Sequence, residues 1–145
     1  MSTKAPEAGT LRGKLLCIED NPVYMELVEA LVAEFPGVEL LKAFTGAEGI
    51  RLAREQRPDM VLLDMHLPDI GGLEVVRSLS EQISQRELRV VLLTADDFSM
   101  DVVKAMSLGA HDHWRKPLTK ERLHLGLAAM LSVSRAPAAD PPKAA

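Results

Sequence analysis

The chain has 145 residues, 47% of them hydrophobic and 26% charged, and its formal net charge at pH 7 is -4. This length suits one domain with a substantial core, and the acidic balance argues against direct binding to nucleic acid or to an anionic membrane surface. No apolar run approaches the roughly 20 residues of a membrane-spanning helix, and the N-terminal residues lack the apolar centre of a signal peptide. We therefore expect a cytoplasmic protein, and its single cysteine, Cys17, excludes an intramolecular disulfide.

Apolar runs that indicate strands alternate with amphipathic stretches five times along the chain. The runs predict strands at residues 14–19, 38–44, 59–63, 89–94 and 111–115. Helical spacing, capping residues and proline or glycine stops predict a helix after each strand, at residues 22–35, 47–56, 72–83, 100–108 and 120–132. In the first helix Val23, Leu27, Ala30 and Leu31 recur at helical spacing.

The predicted domain covers residues 14–133. Residues 1–13 are small and polar, which predicts a flexible leader, and the Ala/Pro-rich residues 134–145 are predicted to be a tail or a truncated linker. Strands without polar alternation are typical of a parallel sheet that is covered by helices on both faces. With right-handed crossovers, this gives an α/β fold with a doubly wound sheet.

Reactive side chains follow four of the five predicted strands. Glu19 and Asp20 lie at the end of the first strand, Asp64 at the end of the third, Thr94 at the end of the fourth and Lys116 after the fifth. In open parallel sheets, ligands bind beyond the carboxyl ends of the strands. Carboxylates, a hydroxyl and an ammonium gathered at that edge predict a site for Mg²⁺ and a phosphoryl group, with Asp64 in the position of the nucleophile.

The order and spacing of these motifs resemble the receiver domain of two-component response regulators over residues 14–132. The motifs are Ile18-Glu19-Asp20-Asn21, Leu62-Leu63-Asp64-Met65-His66-Leu67-Pro68 with Gly72, Leu93-Thr94-Ala95 and Lys116-Pro117. The resemblance implies a single domain with a flavodoxin-like five-stranded parallel sheet in the strand order 2-1-3-4-5.

The resemblance also implies a role for each site residue. Asp64 would become an aspartyl phosphate, Thr94 would donate a hydrogen bond to a phosphoryl oxygen, and Lys116 would neutralise phosphoryl charge. The implied ligands of a Mg²⁺ cofactor are Glu19, Asp20, Asp64 and the backbone carbonyl of His66.

His66 and Asp96 occupy two variable positions of the family, and His113 occupies a position that is usually aromatic. His66 and Asp96 stand where the family tunes the lifetime of the phosphoryl group. His113 stands three residues before Lys116, where the family usually has a Tyr or Phe that moves inward with the threonine hydroxyl. Thr94 and His113 are therefore the implied switch residues, and the histidine departs from the usual aromatic residue.

The leading interpretation is a phosphorylation-dependent switch rather than an enzyme, since such a domain catalyses only its own phosphoryl transfer and autodephosphorylation. The implied donor is a histidine kinase or a phosphotransfer protein. The implied output is a downstream protein, bound through the face of the fourth helix, fifth strand and fifth helix, and a homodimer could form there.

Three alternatives remain open from the sequence. The chain could be a receiver excised from a hybrid histidine kinase or from a larger regulator, or a pseudo-receiver that is never phosphorylated. A Mg²⁺-dependent phosphatase of the haloacid dehalogenase type would also use an aspartate nucleophile, but it requires a second aspartate where this chain has His66.

Because histidine can change its charge near neutral pH, we predict that the activated state depends on pH between roughly 6 and 7.5. Titration of His113 by NMR, with and without phosphorylation, measures this dependence. Identical titration curves in the two states would contradict the hypothesis.

Overall fold

A computed structural model of the chain describes residues 6–95 and 99–133. Its centre is a sheet of five parallel strands in the order β2-β1-β3-β4-β5, which confirms the predicted fold class and strand order. The strands are β1 (Leu11–Ile18), β2 (Val38–Ala43), β3 (Met60–Asp64), β4 (Arg89–Thr94) and β5 (Asp112–Arg115). A short sixth strand, β6 (Ser132–Val133), pairs antiparallel with the start of β1.

In the described residues, six α-helices connect and cover the strands. They are α1 (Pro22–Val32), α2 (Gly46–Gln56), α3 (Gly72–Ser78), α4 (Ser80–Ser84), α5 (Met100–Ser107) and α6 (Lys120–Met130). The predicted fourth and fifth helices correspond to α5 and α6, because the third predicted helix is divided at Leu79, whose backbone leaves the helical conformation at φ -100° and ψ 9°. In the part of the chain that the structure describes, no helix combines the length and the apolar character needed to cross a bilayer.

The alternation of side chains along each strand divides the core into two clusters. In β1, Leu15 and Cys17 join the cluster under α1 and α6, whereas Leu16 and Ile18 join the one under α2, α3 and α5. All four side chains are fully buried, as expected of a strand covered on both faces. This arrangement confines polar side chains of the central strands to the strand ends.

The inner face of the first predicted helix differs from the set of apolar residues that recur at helical spacing. The buried residues of α1 are Met25, Val28 and Val32, whereas Val23 is 74% exposed. Apolar residues at helical spacing occur on more than one side of this helix, so the period alone did not determine which side meets the sheet.

Two predicted boundaries are wrong at the termini of the domain. The leader was predicted to extend through residue 13, but Leu11 is fully buried in β1, and the Pro6 carbonyl oxygen lies 2.6 Å from Nε2 of His124. The last helix ends at Met130 instead of Ser132, because the chain turns there into β6. Residues 1–5 of the predicted leader and the predicted tail, residues 134–145, lie outside the described residues.

Candidate functional site

The five side chains singled out at the strand ends meet at the carboxyl edge of the sheet. Asp64 is the last residue of β3 and Thr94 the last residue of β4, while Glu19 and Asp20 follow β1 and Lys116 follows β5. Glu19, Asp64 and Thr94 are only 1%, 4% and 3% exposed, and they are the buried polar side chains of the described residues. Polar burial in this domain is therefore concentrated at one place.

Three carboxylates form an acidic cluster at this edge. Glu19, Asp20 and Asp64 each offer an oxygen within 4.8 Å of the others, and Asp20 is the exposed member. Negative charges at this separation repel one another strongly in a partly buried site, where the effective dielectric constant is well below that of water. A cation is needed to hold such a cluster together.

Lys116 supplies one positive charge to the acidic cluster. Its Nζ lies 3.0 Å from Oε1 of Glu19 and 3.4 Å from Oδ1 of Asp64. Burial lowers the pKa of Lys116, but the hydrogen bond to Glu19 and the charges of Asp64 and Glu19 outweigh it, so that the pKa is raised overall. The lysine therefore remains an ammonium at neutral pH.

Glu19 is the most deeply buried member of the cluster. Burial raises its pKa and the charge of Asp64 adds to the effect, against hydrogen bonds from Lys116 and from the backbone N–H of Asn21, whose nitrogen lies 3.1 Å from Oε2. A raised pKa means that the ionised form is disfavoured, and a further cation at this site would relieve that cost.

The donor set fits Mg²⁺. Mg²⁺ prefers a few carboxylate oxygens and keeps several waters, and the cluster provides carboxylates from Glu19, Asp20 and Asp64, with Asp20 facing solvent. Each oxygen of Glu19 already accepts one hydrogen bond, and a second lone pair on each remains for a metal. The carboxylates would therefore hold the ion without loss of these hydrogen bonds.

Hydrogen bonds restrain the loop between β3 and α3 at two points. The backbone N–H of His66 donates to Oδ1 of Asp64 over 3.2 Å, which orients the carboxylate. Further along, Asp69 accepts hydrogen bonds from the backbone N–H groups of Gly46 and Ala47, at 2.8 and 2.9 Å, where α2 begins. These bonds lower the pKa of the Asp69 carboxyl. The loop that carries the predicted His66 carbonyl ligand is thus anchored to a neighbouring helix.

The predicted switch residues lie on one face of the sheet. Leu93 and Trp114 belong to the cluster under α1 and α6, so alternation places Thr94 and His113 on the opposite face, towards α5. His113 is half-buried. Of the two predicted tuning residues, the His66 side chain is exposed at the edge of the site, and Asp96 lies outside the described residues.

Tyr24 was not identified from the sequence, although it contacts the site. The Lys116 ammonium lies over its ring, 4.4 Å from the ring centroid, and its hydroxyl accepts a hydrogen bond from the backbone N–H of Leu118. The sequence contained no signal for this contact, because Tyr24 and Lys116 are separated by most of the domain.

Comparison with known proteins agrees with the fold. The family model for the response regulator receiver domain matches residues 15–128. The chain is 32% identical over 119 residues to protein PilH of Pseudomonas aeruginosa, covering 82% of this chain and 98% of PilH. It is 33% identical over 108 residues to the polar-differentiation response regulator DivK of Brucella anthropi, covering 74% of this chain and 87% of DivK.

Longer proteins and solved structures extend the comparison. The probable transcriptional regulatory protein TcrX of Mycobacterium tuberculosis is 37% identical over 117 residues, and this chain covers 81% of its own length but only 49% of TcrX. The receiver domain of a sensor histidine kinase from Pseudomonas aeruginosa superposes with a TM-score of 0.73 at 28% identity, over 82% of this chain and 97% of that domain. That structure contains a magnesium ion coordinated in its active-site cleft.

The chain belongs to the response regulator receiver domain family. Receiver domains are signalling modules of two-component systems rather than classical enzymes, they bind Mg²⁺ at the active site, and they interact with histidine kinases and downstream effectors. Membership of this family favours the receiver interpretation over the phosphatase alternative.

Because a metal bound by the folded state alone stabilises it by mass action, we expect Mg²⁺ to raise the free energy of unfolding. The gain should be about 2.7 kcal/mol at a Mg²⁺ concentration of 100 times Kd. Asp20→Asn, which changes an exposed candidate ligand, should lose most of this gain, whereas Glu26→Gln on the exposed side of α1 should keep it. Urea denaturation with Mg²⁺ or EDTA measures the difference, and an equal gain in Asp20→Asn would contradict the assigned site.

Proposed function

We propose that this domain is a phosphorylation-dependent switch in which Asp64 accepts a phosphoryl group from a phosphohistidine of a histidine kinase or phosphotransfer protein. The position of Asp64 is the main support. Its carboxylate is 4% exposed at the end of a central strand, 3.4 Å from the Lys116 ammonium and beside the two other carboxylates. A carboxylate fixed beside an ammonium can approach an anionic phosphoryl group that it would otherwise repel.

The proposed transfer breaks one bond and forms one bond. An oxygen of Asp64 forms the new O–P bond as the P–N bond of the phosphohistidine breaks, and the imidazole leaves with the bonding electron pair and takes up a proton. The hydrogen bond from the His66 N–H to Oδ1 orients the attacking carboxylate. Hydrolysis later replaces the O–P bond to Asp64 with a bond to water, which restores the carboxylate.

Lys116 and Thr94 have separate roles in this proposal. The Lys116 ammonium moves from the carboxylates to a phosphoryl oxygen, where it balances the charge that transfer brings into the site. The Thr94 hydroxyl, at the end of the adjacent strand β4, donates a hydrogen bond to another phosphoryl oxygen. When bound by Glu19, Asp20, Asp64 and the His66 carbonyl, Mg²⁺ would neutralise the remaining negative charge.

The proposed output surface comprises α5, β5 and α6. Large apolar side chains are exposed on it, with Met100 at 65%, Val103 at 50% and Leu125 at 57%. Exposed apolar residues on neighbouring elements are typical of protein-binding surfaces. Thr94 and His113 face α5 from within the sheet, so a movement of the threonine hydroxyl towards the phosphoryl group would be transmitted to this surface. The surface would bind a downstream protein or a second copy of the domain.

The proposal applies to two arrangements of the whole protein. Relatives include PilH, which this chain covers almost completely, and TcrX, of which it covers about half. The domain therefore acts either as a separate protein or as one module of a larger regulator or hybrid histidine kinase. Phosphorylation experiments distinguish this proposal from the alternative, a pseudo-receiver that is never phosphorylated.

Incubation with Mg²⁺ and acetyl phosphate, followed by intact-protein mass spectrometry, tests the proposal. We expect one phosphoryl group per chain, and none with EDTA or in Asp64→Asn. Asp101→Asn, the same substitution at an exposed position on α5, should be phosphorylated like the wild type. An unmodified wild-type protein would favour the pseudo-receiver, and a phosphoryl group that persists in Asp64→Asn would contradict the assignment of the acceptor.

A further inference from the structure

Tyr24 links the start of α1 to the loop that carries Lys116. The residue lies in the first turn of α1, where its backbone N–H donates to Oδ1 of the capping residue Asn21 over 3.2 Å. Its ring lies beneath the Lys116 ammonium, and its hydroxyl accepts a 2.9 Å hydrogen bond from the backbone N–H of Leu118. One side chain therefore contacts both the charged end of the lysine and the backbone two residues after it.

These contacts form a closed series that includes Glu19 of the acidic cluster. Asn21 caps α1 and donates its backbone N–H to Oε2 of Glu19, while Oε1 of Glu19 accepts from the Lys116 ammonium. Tyr24 completes the series, because it contacts both Lys116 and Leu118. The ammonium is thus held by its contacts with Glu19 and Asp64 and by one aromatic face.

We infer that Tyr24 is the positioning residue for Lys116 in phosphoryl transfer. This inference rests on the proposed function of the site. An ammonium over an aromatic face is attracted by the ring without being neutralised or hydrogen-bonded by it. The lysine therefore remains able to exchange its carboxylate contact for a phosphoryl oxygen, while its side chain stays directed into the site.

The alternative is that Tyr24 serves only to pack α1 against the core. Its ring is partly buried against the cluster under α1 and α6, so a large truncation would also disturb packing. Two variants separate the roles. Tyr24→Phe keeps the ring and loses the hydroxyl, and Tyr24→Leu keeps an apolar side chain and loses the aromatic face.

NMR tests the contact without phosphorylation. A ring beneath the lysine shifts the ε-methylene protons of Lys116 upfield. We therefore expect an upfield chemical shift in the wild type and in Tyr24→Phe, and the chemical shift of a solvent-exposed lysine in Tyr24→Leu. An ordinary Lys116 signal in the wild type would overturn the inference.

The rate of phosphorylation by acetyl phosphate tests the role in the reaction. Loss of the aromatic face in Tyr24→Leu should slow the reaction by about three- to tenfold, with Tyr24→Phe close to the wild type. Val23→Ala, a change to a side chain that is 74% exposed in the same helical turn, should have no effect.

A double-mutant cycle distinguishes positioning from packing. In a Lys116→Ala background, Tyr24→Leu should cause no further loss of rate, because the residue that Tyr24 positions is absent. An equal loss in both backgrounds, or an unchanged rate in Tyr24→Leu itself, would overturn the inference. A wild-type protein that is never phosphorylated at Asp64 would instead contradict the proposed function. The NMR signal of Lys116 separates the two failures, because it reports the contact with Tyr24 whether or not the protein is phosphorylated.

Discussion

The ammonium of Lys116, shared between Glu19 and Asp64, is the interaction on which the site depends. Two carboxylates that are almost fully buried lie beside a third, and the lysine is the cation that the described contacts place between them. Burial of carboxylates without a partner would shift them towards the neutral form. The lysine opposes that shift at Glu19, because its hydrogen bond and its charge favour the ionised form, and ionised carboxylates are what nucleophilic attack and metal binding require.

The rest of the fold places this lysine and these carboxylates together. Parallel strands that are buried on both faces leave polar side chains only at their ends, and the order β2-β1-β3-β4-β5 brings the ends of β1, β3, β4 and β5 to one edge. Helix caps then fix the loops. Asn21 joins the start of α1 to Glu19, and Asp69 joins the β3–α3 loop to the start of α2. These hydrogen bonds hold the site residues in place without using the groups that would react.

The fold and the main site residues were predictable from the sequence because both follow from short-range patterns. The apolar run that ends in Asp64 indicates both a buried strand and a reactive side chain at its end. The runs that end in Glu19 and Thr94 give the same two indications. The contact of Tyr24 with Lys116 was not predictable, because it joins the first helix to the last loop and depends on side-chain packing. The inner face of α1 was not predictable from the spacing for a related reason, since an apolar-rich helix offers more than one face at helical spacing.

The cluster carries more negative charge than one lysine compensates, as expected of a site that would bind a metal and a phosphoryl group. The free energy of unfolding of Asp64→Asn in metal-free buffer tests this claim most directly. Removal of one charge relieves two carboxylate repulsions and loses one contact with Lys116, so the variant should be more stable than the wild type. A variant that is less stable than the wild type would show that Asp64 stabilises the fold, and would contradict this charge balance.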